Sequence, residues 1–387
     1  MCCGNFKDAD EQEHFHGWAS DDDHKRPIGG PVAAKTLSQV LANHPVEASA
    51  PCRIDVGGTL DISTFYYPLR HLNPCTFNIA LDLRTRVRLK AHRPGLTRIH
   101  AANLAEAEFP LAEAPLDHPL GLMFAVAVFF RADGVCIEIA SDSPPCSALG
   151  GSSTAAVALV AALAKARTLL GEPPMAPRHL AILAHTIEAS VAGVPCGLQD
   201  QLAAVYGGVN AWYWTGADTG TWYRRQRLMN VRDIRRLQPH LLVAYCGRPH
   251  QSADINGQWV RQFVKGQGRA LWTRIVDCTH GFVRCFARRD FSEAAGWMNR
   301  ETDLRRQLTP DVLDATGADL AASALDHRCG ARFAGAGGGG CVWAIGEAAD
   351  IDGLRLSWGQ IMASRDQARL LDADVDGWGL RIHEMAA

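Results

Sequence analysis

From Asp142 to Ala156 the chain reads Asp-Ser-Pro-Pro-Cys-Ser-Ala-Leu-Gly-Gly-Ser-Ser-Thr-Ala-Ala, and an apolar segment follows to Leu170. Small residues from Ala148 to Ser153 let backbone N–H groups approach a ligand closely. A helix opening near Ser152 would aim its unsatisfied amides and positive dipole end at the same spot. That combination suits a phosphate, with the Ser152 and Ser153 hydroxyls supplying a metal ligand and a helix cap. A plain capped helix fits the local sequence equally well. A second loop, Gly335-Ala-Gly-Gly-Gly-Gly340, is harder to dismiss, because four consecutive glycines lose much backbone entropy on folding unless close approach requires them. It runs into a strand rather than a helix, so it is not a GxGxxG dinucleotide fingerprint, and the chain has no GxxxxGK[ST] motif.

Ionisable residues stand near these loops in the predicted elements. Glu188 lies beside the apolar stripe Leu180, Leu183, Ala184, Ile187 and Val191 of a helix expected over 177–191, so its carboxylate faces the interior or a cleft. Asp200 falls in Gly193-Val-Pro-Cys-Gly-Leu-Gln-Asp-Gln, which reads as an irregular segment between helix and strand. Arg53 sits in the short strand Pro51-Cys-Arg-Ile-Asp-Val56, which ends in Gly57-Gly58.

The elements that must position these residues follow from periodicity. A short helix is expected near 35–42 and an alternating strand or hairpin over 76–90, with Phe77, Ile79, Leu81 and Leu83 on one face. Leu120 to Phe130 reads as a buried helix and Val135 to Ala140 as a strand leading into the serine loop. The helix after that loop is apolar almost all round and stops at Gly171-Glu-Pro-Pro174, which marks it as central. Strands are expected at 209–214 and 223–228. From His240 onward a second unit is expected, with a strand at 241–245, helices across 252–288, 292–308 and 319–329, and a strand at 342–345. The predicted division is an N-terminal extension over 1–47, a first domain over 48–225 and a second over 226–387.

Length and composition limit the function classes. With 387 residues, two domains are expected. A net charge of −2, with arginines in scattered pairs, gives no footprint for nucleic acid. No apolar stretch reaches membrane-spanning length and the start has no apolar signal core, which fits a cytoplasmic enzyme. The twelve cysteines include no CxxC pair and read mainly as buried small hydrophobes. Cys2, Cys3, His14 and His16 could bind a metal, but a disordered polar leader describes that segment better.

Three loops, at Gly57-Gly58, at Gly150-Gly-Ser-Ser153 and at Gly335 to Gly340, resemble in order and spacing the three motifs of the GHMP kinases. That superfamily holds galactokinase, homoserine kinase, mevalonate kinase and phosphomevalonate kinase. Pro145-Cys-Ser-Ala-Leu-Gly-Gly-Ser-Ser-Thr-Ala155 looks like its second motif and Phe333-Ala-Gly-Ala-Gly-Gly-Gly-Gly-Cys341 like its third. The resemblance covers about residues 50 to 345. It implies an α+β, two-domain fold, with an N-terminal ribosomal-protein-S5-like domain having left-handed βαβ features, a C-terminal ferredoxin-like domain and the active site between them.

The resemblance also implies roles. ATP would be held by Pro145, Ser147, Ala148, Leu149, Gly150, Gly151, Ser152 and Ser153, with Gly335, Gly337 and Gly338 from the third motif. Ser152 and Glu188 match the magnesium ligands. Asp200, twelve residues after Glu188 as in galactokinase-like members, matches the aspartate that receives or orients the acceptor proton, and Arg53 the cation that keeps it ionised. Asp61, with Gly58, Thr59, Gln199 and Asp200, would face the acceptor; a carboxylate accepts two hydrogen bonds from adjacent hydroxyls. Cys146 and Ala148 stand where many members have glycine, and Arg332 stands near a frequent lysine, in a phosphate-binding or a surface role. Gly247 to Ser252 would add acceptor contacts or form a simple turn.

The implied activity is transfer of the γ-phosphoryl group of ATP, with Mg2+, to a monosaccharide or sugar phosphate, by a monomer or homodimer with no nucleic-acid or membrane partner. A mevalonate-type or other small-alcohol kinase, and a non-catalytic sugar- and ATP-binding regulator, are the alternatives. Retention of Arg53, Ser152, Glu188 and Asp200 favours an enzyme.

Overall fold

The computed structural model describes residues 35–387 apart from 103–104, 194, 217–220, 250–254 and 385–387. Cys2, Cys3, His14 and His16 lie outside the described residues, as does the end of the Gly247 to Ser252 loop. Helices are α1 Leu37–Asn43, α2 Ser63–Tyr66, α3 Gly121–Phe129, α4 Gly151–Thr168, α5 Pro177–Val191, α6 Gln199–Tyr206, α7 Ile255–Val264, α8 Arg269–Ala287, α9 Phe291–Leu308, α10 Ala315–Asp326 and α11 Ala348–Ala363. Strands are β1 Val46–Val56, β2 Cys75–Ala91, β3 Thr97–Ala101, β4 Ala105–Phe109, β5 Val135–Ser141, β6 Val209–Trp214, β7 Tyr223–Arg227, β8 Leu241–Tyr245, β9 Gly330–Phe333, β10 Cys341–Ile345, β11 Arg369–Leu370 and β12 Arg381–Glu384.

The first sheet runs β12-β1-β2-β5-β3-β4, with β6 on the other half of β2 and β7 beyond it; the second runs β11-β8-β10-β9. α4 lies against β1 and β2, buried almost continuously from Ser153 to Ala164, as its uniformly apolar sequence requires. β2 was expected to be half-buried. Its first half is buried on both faces instead, because α4 and α6 also pack on it along with α8. The pairing of β1 with β2 shifts register between Pro51 and Cys52, just before Arg53. A residue with no N–H interrupts the ladder there and turns the following side chains into the site.

Two expectations change. Residues 35–47 are not all extension: Leu37 and Leu41 of α1 belong to the first core, and Val46 opens β1. The end of the chain also crosses the expected boundary at 225, since β12 pairs with β1 through Ser49↔Arg381 and its neighbours. That covers an edge that β1 would otherwise expose. One apolar cluster joins Cys52, Ile54 and Phe77 to Val243, Phe282, Phe286 and Trp343, so the two sheets share a core. Among the described residues no helix is long and apolar enough to cross a membrane.

Candidate active site

The loop between β5 and α4 is built to leave amides free. Cys146, Ala148 and Gly150 take left-handed backbone angles, with φ of 50°, 62° and 79°. The first two are strained there, since only glycine adopts this region without penalty. Carbonyls anchor the loop: Ser147 accepts the Cys341 N–H at 2.9 Å, Leu149 the Arg53 N–H at 3.0 Å and Ala148 the Arg53 Nη1 at 2.8 Å. No side chain caps α4, and among the described residues no amide from Ala148 to Ser153 has a protein acceptor. Unsatisfied N–H groups leading into a helix start are what an anion can satisfy. Pro145 is exposed at the rim, while the Leu149 side chain is fully buried, so only its backbone faces the loop.

Asp200 is not on an irregular segment; it occupies the first turn of α6. The helix start was hidden because its cap comes from elsewhere in the chain: Asp61 Oδ2 accepts the Gln199 N–H at 3.0 Å. Arg53 then grips Asp200 with two bonds, Nε to Oδ1 at 2.7 Å and Nη2 to Oδ2 at 2.9 Å. Burial pushes the Asp200 carboxyl above its ordinary pKa, and Arg53 opposes that rise. Burial would lower the Arg53 pKa, but Asp200 and Asp55 outweigh it and hold the guanidinium charged. Gly150 is required here, because a Cβ on it would come within 3.0 Å of Asp200 Oδ2.

Glu188 gathers three donors: Ser152 Oγ at 2.6 Å, Ser153 Oγ at 2.7 Å and Gln201 Nε2 at 2.6 Å. Ser153 is therefore an equal partner of Ser152 rather than a helix cap. Glu188 is buried with no ion pair among the described residues, and burial raises its carboxyl pKa against those hydrogen bonds. A buried carboxylate and a hydroxyl on hard oxygen, beside free amides, fit Mg2+, which takes one or two protein oxygens and completes its shell with phosphates and water. No group of three His, Cys, Asp or Glu among the described residues forms a metal cage by itself.

The third loop behaves differently from expectation. The amides of Gly335, Gly337 and Gly338 are already donated, to Asp55 Oδ1 at 2.8 Å, to Ala334 O at 3.2 Å and to Val312 O at 2.9 Å. Nucleotide contact from these residues would rest on their missing side chains; Ala336 and Gly339 are the loop residues whose amides have no protein acceptor among those described.

Arg332 has neither a phosphate nor a surface role. It is fully buried, with Nη1 at 3.2 Å from Asp55 Oδ2 and Nε at 2.8 Å from Glu301 Oε2. Glu301 also binds Arg305 Nε at 2.8 Å, and Arg305 Nη2 donates to the Gly58 carbonyl at 2.5 Å while its guanidinium stacks on Trp259 and Trp272.

Of the expected acceptor residues, Gly58 sits where a Cβ would strike Asp55 Oδ2 at 2.2 Å, and Thr59 adopts φ 76° with its hydroxyl 3.1 Å from Asn256 Oδ1. Gln199 opens α6, with its Oε1 buried and unpartnered among the described residues. Asp61 is 5 % exposed, and its carboxyl is pushed up to about 7 by burial and by Asp200 nearby. Asp55, Glu301, Arg305 and Gln201 were missed from sequence. Asp55 carried a signal, a charge on an otherwise apolar strand, and Glu301 with Arg305 another, an i,i+4 pair on α9.

Residues 121–208 match the family model described as the GHMP kinases N terminal domain. No curated protein matches the chain. A D-glycero-D-manno-heptose 1-phosphate kinase from Bacteriodes thetaiotaomicron superposes with a TM-score of 0.68 at 16% identity, covering 88% of this chain and 100% of that one. A galactokinase from Lactococcus lactis, solved with galactose, gives 0.68 at 16% identity over 89% and 97%. A mevalonate kinase from Methanococcus jannaschii gives 0.63 at 13% identity over 85% and 98%. At these identities the likeness is one of fold, and the α+β fold is that of the GHMP kinases.

Proposed function

We propose that this chain of GHMP kinase fold is an ATP-dependent small-molecule kinase that transfers the γ-phosphoryl group to a hydroxyl of a monosaccharide or sugar phosphate. The observation that carries the reading is the Arg53–Asp200 pair, two bonds of 2.7 and 2.9 Å, set against a loop whose amides from Ala148 to Ser153 have no protein acceptor among the described residues. Phosphoryl transfer asks for charge neutralised on the moving group and an acceptor held in line, and little more. The amides and the α4 dipole receive the phosphates of ATP.

Ser152 and Glu188 would hold Mg2+, which supplies charge neutralisation on those phosphates. Asp200 accepts and orients the acceptor O–H; burial raises its pKa, which favours proton uptake, while Arg53 opposes the rise. Arg53 fixes the carboxylate and limits its protonation. Asp61, Gly58, Thr59 and Gln199 form the acceptor side.

The test is ADP release by the purified full-length chain with MgATP, across free sugars, sugar phosphates, mevalonate and homoserine. Turnover with a sugar or sugar phosphate supports the reading; turnover with mevalonate or homoserine alone replaces it with the small-alcohol kinase. Nucleotide and sugar binding with no turnover replaces it with a regulator.

A further inference from the structure

Beside Asp61 lies a cavity of about 260 Å3. Its walls include Asp61, Tyr66, His185, Trp214 and Trp222. We propose that this cavity is the acceptor site and that it takes a neutral polyhydroxylated molecule, an unphosphorylated monosaccharide or polyol, while excluding acceptors that carry phosphate or carboxylate. The inference rests on the kinase reading and narrows it.

Position argues for the acceptor. Asp61 Oδ2 holds the Gln199 amide, so the cavity wall begins one residue from Asp200. Gly197 keeps that wall thin, since a Cβ there would fall 1.7 Å from Asp61 Oδ2. The volume falls just below the range usual for drug-sized ligands, about 300–1,000 Å3, and suits a monosaccharide rather than a nucleotide.

Chemistry selects the class. The Tyr66 and Trp214 rings stack at 6.0 Å, and Trp222 is 40% exposed at the mouth. Aromatic faces pack against the C–H faces of a sugar ring, while a carboxylate accepts from adjacent hydroxyls. Two lining residues carry buried ring nitrogens with no partner among the described residues, His185 Nδ1 and Trp214 Nε1. A desolvated polar group left unpaired is costly, so a hydroxyl that reached either would stabilise the complex.

Among the described residues, no lysine or arginine lines the cavity. A phosphate or carboxylate entering would find no described cation to pair with, and burying an unpaired anion is costly; above about pH 7 an ionised Asp61 would add repulsion.

The experiment uses calorimetric binding to the full-length Asp200→Asn variant, with neutral monosaccharides and polyols, their phosphate esters and mevalonate as probes. Wild-type ADP release is measured on the same panel. Neutral compounds are expected to bind at least tenfold more tightly than their phosphate esters, and Trp222→Ala or His185→Ala to weaken that binding at least tenfold. Trp222→Ala is expected to melt close to wild type because the residue is part-exposed. Tighter binding of the esters, no binding of any neutral compound, or unchanged affinity in both variants overturns the proposal. Turnover confined to phosphorylated acceptors would sink the cavity assignment and leave the kinase standing. Neutral binding abolished by Trp222→Ala, with no wild-type turnover, would sink the kinase and leave the cavity.

Discussion

Asp55 Oδ1 accepts the Gly335 N–H at 2.8 Å, joining the first strand to the last glycine loop across 280 positions of sequence. Its other oxygen pairs with Arg332, and through Glu301 and Arg305 the chain of charges returns to the Gly58 carbonyl. With Arg53 and Asp200 the network holds three arginines and three carboxylates, so the buried charge cancels.

Breaking that balance should be expensive. Asp55→Asn leaves Arg332 with a single counter-ion in a dry interior, and loss of one partner of a buried pair costs about 3–5 kcal/mol. Urea unfolding measures it; a loss below about 1 kcal/mol would mean that the network contributes no more than a surface pair.

Asp200→Asn should lower kcat by about 10²–10⁴-fold, the range for a positioned proton acceptor, with nucleotide affinity within a few-fold of wild type. The amide cradle does not depend on the carboxylate. Near wild-type turnover in a coupled ADP-release assay would remove Asp200 from the chemistry.

Glu188→Gln removes a buried carboxylate that no described cation neutralises. Because burial raises its pKa, wild type loses stability relative to the variant as pH rises, so without magnesium the melting-temperature difference should move in the variant's favour between about pH 5 and pH 8. It should also need at least tenfold more Mg2+ for half-maximal rate. An unchanged magnesium requirement would place the metal elsewhere.

Asp61 gives a pH window. Its folded pKa is about 7, against about 3.9 in an unfolded chain, so the folded state retains the proton and stability is lost as pH rises through that interval, levelling off above it. Relative to Asp61→Asn, the wild type should lose about 2 kcal/mol between pH 5.5 and 8. Parallel stability curves for the two proteins would show that Asp61 is ionised throughout.

Some of the site is legible because it is local. Glu188 faces inward by helical periodicity alone, and small residues from Ala148 to Ser153 before an apolar helix announce a loop-to-helix turn; both hold in the structure. Asp200 reads as loop because the group that caps α6 is Asp61, which no local pattern reveals. Gly335, Gly337 and Gly338 look like phosphate donors because glycine signals close approach without saying to what; here the partners are Asp55, Ala334 and Val312.

By itself the sequence determined the long, strongly periodic elements, the kinase-like motifs and the residue types able to do chemistry, because periodicity and backbone permissiveness act over a few residues. Only the tertiary structure decided which amides stay free, that Ser153 serves Glu188 and that Arg332 is a buried strut. A hydrogen-bonding group keeps its valence for a ligand only if no distant part of the chain satisfies it first, and that competition is settled by packing.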